Sequence, residues 1–260
     1  MDDPVLTGDQ VATVRHLTSA LTSARIVLIG AAALSFHLEM RWRKTYDLDL
    51  LVLVSGTSSE FDLERELNWL RKSEQRWLSP EGVFVDVIVI KAGELSSGKK
   101  LWSDGAEMSL MGANLAFREC VNHELSPEVI LPVASLPTIA FLKMVSYMER
   151  PADRAHDLAD LAYILTEYLG ELDDRRFDRK LIEIGLDFDQ TSPYLLGMDL
   201  SRILQADEKS TVDRFVAKLL DGDDPDHSQI RMARDGPLIW GKNIDNLELS
   251  VRALQQGFQS

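Results

Sequence analysis

The sequence predicts an α+β (mixed α/β) protein, with a small mixed β-sheet flanked by helices up to about residue 135 and a helical half beyond it. Three observations carry this. Apolar runs at 26–29, 47–54 and 83–90 have strand length and stop at glycine or serine-rich punctuation. Helical patterns separate the first of these runs from the others. From Ser135 onward the apolar spacing is helical throughout.

Taken in order, residues 9–24 form an amphipathic helix on Val11, Val14, Leu17 and Leu21. A short strand at 26–29 ends at Gly30, and 31–40 reads as a helix of small residues that lets its backbone approach a neighbour or ligand. The strand at 47–54 closes on Ser55-Gly56-Thr57-Ser58-Ser59, and a charged helix follows over about 60–72. Residues 83–90 make the strongest strand, bounded by Gly82 and Gly93. Between 93 and 125 the best strand is 115–121, and 129–133 supplies another. Ser135 then caps a helix, with Pro137 in its first turn, that runs to about 149 and stops near Pro151. Asp153 caps a second helix to about 169, striped by Leu158, Leu161, Leu165 and Leu169. Further helices are expected near 175–185, 194–206 and 209–220, and the acidic tract 221–226 reads as a solvated loop. No internal repeat is present.

The chain has 260 residues, 45% of them hydrophobic, enough for a real core. No run approaches the roughly 18 uncharged apolar residues of a membrane span, and Met1-Asp2-Asp3-Pro4 lacks a signal peptide's basic and apolar regions. Cys120, the only cysteine, excludes an internal disulfide and a cysteine-built zinc site, and reads as a small buried hydrophobe. These features point to the cytoplasm and away from the membrane. The net charge of -14 argues against whole-surface affinity for nucleic acid, while a local basic groove or a cationic acceptor stays compatible with it.

The informative feature is Asp47-Leu48-Asp49 at the head of an otherwise apolar strand. Alternation puts both carboxylates on one face, about 6.6 Å apart along the chain. Asp86 lies inside a second apolar run, where a lone buried carboxylate costs several kcal/mol unless paired or metal-bound. If the two strands are neighbours, Asp86 lies about 4.8 Å away laterally. Carboxylates so crowded repel one another, and a divalent cation relieves the conflict, with Mg²⁺ (or Mn²⁺) and substrate phosphate oxygens completing the site. Three of them can hold two metals about 3.5–4 Å apart. The alternative is that Asp47 and Asp49 only end a strand and Asp86 pairs with an arginine such as Arg43.

Gly30, then Arg43-Lys44-Thr45-Tyr46-Asp47-Leu48-Asp49, then Asp86 in a second strand, resembles the DNA-polymerase-β-type nucleotidyltransferase superfamily. Within it, the Arg-x-Thr-x-Asp-x-Asp spacing is similar to the AbiEii-type minimal nucleotidyltransferases, many of them toxins of type IV toxin–antitoxin pairs. Further on, Ala140-Phe141-Leu142-Lys143-Met144-Val145, Arg150-Pro151 and His156-Asp157-Leu158-Ala159-Asp160-Leu161 resemble that family's paired helices. The resemblance covers about residues 25–168. It implies a nucleotidyltransferase core over 1–135 and a helical domain over 136–260 that closes the active-site cleft. It further implies transfer of a nucleoside monophosphate from a nucleoside triphosphate to an acceptor hydroxyl on RNA such as tRNA, on protein or on a small molecule, with an antitoxin partner. Asp47, Asp49 and Asp86 would bind metal, with Asp86 also the base. Gly30-Ala31 would approach the triphosphate, Lys143 would act at the site, and Arg43, Thr45 and Asp157 would support nucleotide binding. Two positions depart from the pattern: Ala31 stands where serine or glycine is usual, and His156 replaces a lysine.

Each of these residues also has a plainer reading. Arg43 contacts phosphate or pairs with Asp86; Thr45 fills a turn. Lys143 either snorkels to solvent or reaches the cleft. Asp157 acts in the site or complements its helix dipole. Arg175, Arg176, Arg179 and Lys180 meet an acceptor or form a solvated helix face. Gly93-Glu-Leu-Ser-Ser-Gly98-Lys99 mimics a P-loop, but Lys100 follows where a metal-binding hydroxyl is needed. The competing function is a catalytically degenerate nucleotide-binding or partner-binding protein of the same fold, suggested by Ala31.

Overall fold

The run at 48–54 carries apolar side chains on both faces, so it needs cover on both and belongs inside a sheet. The computed structural model describes residues 5–40, 44–54, 63–170, 173–237, 240 and 243–260. The chain divides into two compact units, Met1–Ser135 and Leu136–Ser260. The first runs α1 (Gly8–Ala20), β1 (Arg25–Ile29), α2 (Gly30–Leu34), β2 (Leu48–Val54), α3 (Leu63–Leu67), β3 (Leu70–Arg71), β4 (Arg76–Leu78), β5 (Phe84–Lys91), α4 (Ala92–Ser97), β6 (Lys99–Leu101), β7 (Glu107–Ser109), α5 (Ala113–Arg118), β8 (Cys120–Ser126) and β9 (Val129–Ala134).

Seven of these strands form one mixed sheet in the order β3-β4-β5-β2-β1-β9-β8, with β2 at its centre. β2 runs antiparallel to β1 and parallel to β5, and β1 is parallel to β9. Leu48, Leu50 and Val52 are fully buried, as are Val27 and Leu28 in β1, each side chain contributing about 1.5–3 kcal/mol. The mixed α/β architecture expected from the sequence is therefore the architecture of the protein.

Several local expectations differ. The sequence places the best strand between 93 and 125 at 115–121, yet Leu115, Ala116 and Phe117 lie in α5, and β8 starts at Cys120. A short apolar run fits either period, and here Gly112, in the left-handed region at φ 82°, turns the chain into a helical turn. Arg25 Nη2 donates to the Phe117 carbonyl at 2.7 Å and so ties α5 to β1. The small-residue helix is shorter than 31–40: α2 ends at Leu34, where Ser35 Oγ donates back to the Ala32 carbonyl and competes with the helix ladder. Cys120 is only half buried.

The second unit contains α6 (Leu136–Glu149), α7 (Ala155–Glu167), a 3₁₀ turn (Asp174–Phe177), α8 (Arg179–Glu183), α9 (Phe188–Ile203), α10 (Ala206–Leu220), α11 (Ser228–Asp235) and α12 (Ile244–Phe258). Asp153 does not cap α7. Arg154 holds that position without a side-chain cap, and the Asp153 amide instead closes a turn on the Arg150 carbonyl. α9 and α12 meet backbone to backbone: a Cβ on Gly257 would overlap the Tyr194 carbonyl, and one on Gly197 would overlap that of Leu254. The acidic tract at 221–226 is not wholly solvated. Asp224 is buried, accepts from the Ser228 amide at the start of α11, and binds Lys218 Nζ at 2.5 Å.

Candidate active site

Parallel pairing of β2 with β5 sets Asp49 directly beside Asp86. Residues paired across neighbouring strands face the same way, so these two carboxylates share one side of the sheet. The opposite side at this point is the fully buried one built on Leu48, Leu50, Val85 and Val87. Asp47 lies two residues before Asp49, and its contacts bring it to the same place. A guanidinium joins it to Asp86.

That guanidinium belongs to Arg76, a residue the sequence reading missed. β4 pairs antiparallel to β5 with Arg76 opposite Asp86, so the hairpin register delivers the side chain to the carboxylate face. Nη1 donates to Asp86 Oδ2 at 2.8 Å, and Nη2 donates to Asp47 Oδ2 at 2.5 Å. The guanidinium carbon lies 4.8 Å from the centre of the Phe84 ring, a cation–π contact on the same face. The Asp47 hydrogen bond raises the arginine pKa; partial burial opposes this, and the charges of Asp86, Asp47 and Asp49 add to it. Arg76 therefore carries a permanent positive charge among three aspartates. The pairing of Asp86 with an arginine, weighed above for Arg43, exists with Arg76 as the partner. Arg43 itself lies outside the described residues.

The hairpin is clamped from behind. Ser79 Oγ accepts from the Val83 amide at 3.3 Å and lies 2.9 Å from Thr13 Oγ1 of α1. Thr13 also donates to Glu81, which His16 meets at 2.9 Å. The turn that fixes the Arg76 register is thus tied to a helix whose own start is a Thr7–Gln10 capping box.

Gly30 has two reasons to be glycine. Its φ is 70°, in the left-handed region. A Cβ there would also overlap Asp49 Oδ2 and lie 2.8 Å from Asp49 Cγ. The Asp49 carboxylate occupies the space that any side chain at 30 would take. Ala31 is buried and brings no hydroxyl to the turn. Thr45 is half buried just before the aspartates.

Asp47, Asp49 and Asp86 are hard oxygen donors of the kind Mg²⁺ takes, and the strand register puts them on one face. As they stand, no three Asp, Glu, His or Cys side chains among the described residues converge on one point. Arg76 takes up Asp47 and Asp86 instead. Donor type and register fit a divalent cation, and the guanidinium is the positive charge that Asp47 and Asp86 now hold.

Lys143 and Asp157 lie in the second unit and meet there. The Lys143 ammonium is buried, 3.0 Å from Asp157 Oδ1 and 2.6 Å from Asp160 Oδ2, and so bridges α6 and α7. It neither snorkels nor extends freely. His156 Nε2 lies 3.6 Å from the same Asp157 oxygen, close to where the family pattern has a lysine charge. Asp160, fully buried, was missed as a partner; its i+3 spacing from Asp157 was the available signal.

Other candidates separate from the site. Residues 92–97 form α4, and Gly98 ends it at φ 71°, so the P-loop look-alike is an ordinary capped helix. Arg175 binds Asp173 and Asp199, and Arg176 donates to the Leu169 and Gly170 carbonyls, so half of the basic patch is structural. No helix among the described residues is long and apolar enough to cross a membrane.

The family described as Nucleotidyl transferase AbiEii toxin, Type IV TA system, matches residues 14–235. No curated protein matches. A similar solved structure is the crystal structure of an antigenic nucleotidyltransferase-like protein from Paracoccidioides brasiliensis, 15% identical over 62% of this chain and 77% of that one, at a TM-score of 0.39. A likeness that loose carries no argument. The family match spans both units and both groups of acidic residues, and the chain belongs to the AbiEii nucleotidyltransferase family of type IV toxin–antitoxin systems.

Proposed function

We propose that this enzyme uses a divalent cation to transfer a nucleoside monophosphate from a nucleoside triphosphate to an acceptor hydroxyl on RNA, on protein or on a small molecule. The observation that carries this reading is Asp49 abreast of Asp86 across β2 and β5, with Asp47 joined to Asp86 through Arg76. Asp47 and Asp49 would hold Mg²⁺ or Mn²⁺ with Asp86 beside them, and the cation would neutralise the triphosphate and polarise its oxygens. In the transfer, the acceptor oxygen bonds to the α-phosphorus, the bond from that phosphorus to the bridging oxygen breaks, and pyrophosphate leaves. Asp86 takes the hydroxyl proton. Gly30, lacking a side chain, leaves Asp49 room beside the turn. Catalysis of this kind is mainly positioning and charge neutralisation. We read Lys143 as a positioning residue that holds Asp157 and Asp160, with no direct part at the phosphates. The proposed compartment is the cytoplasm, where triphosphates, RNA targets and an antitoxin are all met.

The test is incubation with Mg²⁺ or Mn²⁺, α-labelled triphosphates and, in turn, total RNA, cell protein and aminoglycosides. The expected result is label on one acceptor class, lost in Asp49→Ala. Absence of label on every acceptor would overturn transfer. A second reading, a nucleotide-binding protein without turnover, is favoured by Ala31 and by the grip of Arg76 on two of the aspartates. It predicts triphosphate binding by calorimetry with no label transferred.

A further inference from the structure

Arg76 is held by too many constraints to be an incidental surface arginine. The β4–β5 register puts it opposite Asp86, and its backbone amide donates to Ser73 Oγ at 3.1 Å. Its two terminal nitrogens reach two different carboxylates, and the Phe84 ring supports the guanidinium from below. The two aspartates it joins are two of the three that the proposed reaction needs for its cation. A guanidinium and a divalent ion cannot both lie between them. The same guanidinium is partly exposed and sits on a long side chain whose torsions let the head swing without moving the strand. Planar guanidinium groups bind phosphate oxygens as well as they bind carboxylates.

We propose that Arg76 is an exchangeable counter-ion: it neutralises Asp47 and Asp86 in the empty site and transfers to a phosphate of the incoming triphosphate as the cation takes the carboxylates. This rests on the reading of Asp47, Asp49 and Asp86 as the cation–triphosphate site. No bond to carbon or phosphorus changes; the arginine's two carboxylate contacts give way to carboxylate–cation and arginine–phosphate contacts. The consequence is coupling. The cation alone binds weakly because it must evict an arginine with nowhere to go. Cation and triphosphate together bind well, because the arginine gains a new anionic partner as it leaves. The enzyme thereby favours the loaded complex over a site filled with bare metal.

The experiment is Mn²⁺ titration of the full chain followed by electron paramagnetic resonance, which reads bound metal without turnover. Wild type, Arg76→Gln and Arg76→Lys are compared with and without an α,β-methylene triphosphate, after thermal melts confirm folding. If the arginine engages the carboxylates nine-tenths of the time, its removal tightens Mn²⁺ binding about tenfold without the analogue. The analogue should then improve wild-type Mn²⁺ affinity by a larger factor than it improves that of Arg76→Gln. Arg76→Lys, whose single ammonium lacks the fork that spans two carboxylates, should fall between them. It carries the test alone should Arg76→Gln not fold. Equal or weaker Mn²⁺ binding by the variants without the analogue overturns the exchange while leaving the metal site standing. Absence of Mn²⁺ binding by every protein, with and without the analogue, overturns the metal reading and the exchange with it.

Discussion

Arg76 and Lys143 each sit between two aspartates, one in the sheet unit and one in the helical unit, and they differ in how much water they meet. In the sheet unit, Arg76 holds Asp47 and Asp86 with side chains 36%, 40% and 21% exposed. In the helical unit, Lys143 holds Asp157 and Asp160 with side chains 7%, 6% and 0% exposed. A buried charge that loses its partner pays its full desolvation penalty, whereas an exposed one recovers most of it from water. The first group can therefore open and exchange partners at small cost, and the second cannot. Likeness of composition conceals a division between a group open to exchange and a staple. Lys218, with Asp224 and Asp226, is intermediate at 18%, 4% and 34% exposed.

Substitution of the three cations puts this ordering at risk. Lys143→Met removes the buried cation that Asp157 and Asp160 share and should lower unfolding free energy by about 3–5 kcal/mol, read from urea melts. A loss below about 1 kcal/mol would place this pair with the exposed ones and break the comparison. Lys218→Met should cost about 2 kcal/mol by the same measurement, since Asp224 keeps its hydrogen bonds from Ser228.

Acid sharpens the intermediate case. Burial alone would raise the Asp224 pKa, but Lys218 and the Ser228 hydroxyl and amide outweigh it and bring the value down to about 2 from 3.8. A carboxylate lowered in this way stabilises the fold fully above its unfolded pKa and loses that contribution as pH falls through 3.8 toward 2. Urea melts between about pH 5 and pH 2 should show a steeper loss of stability in wild type than in Asp224→Asn, by on the order of 2 kcal/mol across the window. Parallel curves would mean that the ion pair does not stabilise the fold. The smallest effect is expected at Arg76. Arg76→Gln should change unfolding free energy by about 1 kcal/mol or less, and a change as large as that of Lys143→Met would make the arginine a staple too.

The two long strands and Gly30 were legible because strand-length apolar runs and a glycine at a strand end are local signals. The cost of an isolated carboxylate among apolar neighbours marked Asp86 as needing a partner, while its place beside Asp49 was a condition that only the strand register met. Arg76 was not legible in the same way. Its strand has only three residues, too few to show alternation. Yet Ser79-Pro80-Glu81-Gly82 before the β5 run is a hairpin turn, and counting outward from it pairs residue 76 with residue 86. Asp160 escaped notice because an aspartate between Leu158 and Leu161 looks solvent-facing until the α6 lysine opposite is known. The short apolar segment at 115–117 fits either period, and Gly112, in the left-handed region just before it, turns it into a helix.

The β4–β5 hairpin makes loop length a chemical variable. If the pairing and not the loop absorbed one extra residue between positions 79 and 82, it would slip by a single step and turn every β4 side chain over. The indole of Trp77, now packed inward, would then stand before the aspartates, and the guanidinium would point into the core. Such an insertion deletes no acidic group and alters no residue named in the site, yet it would exchange a movable positive charge for an inert wall.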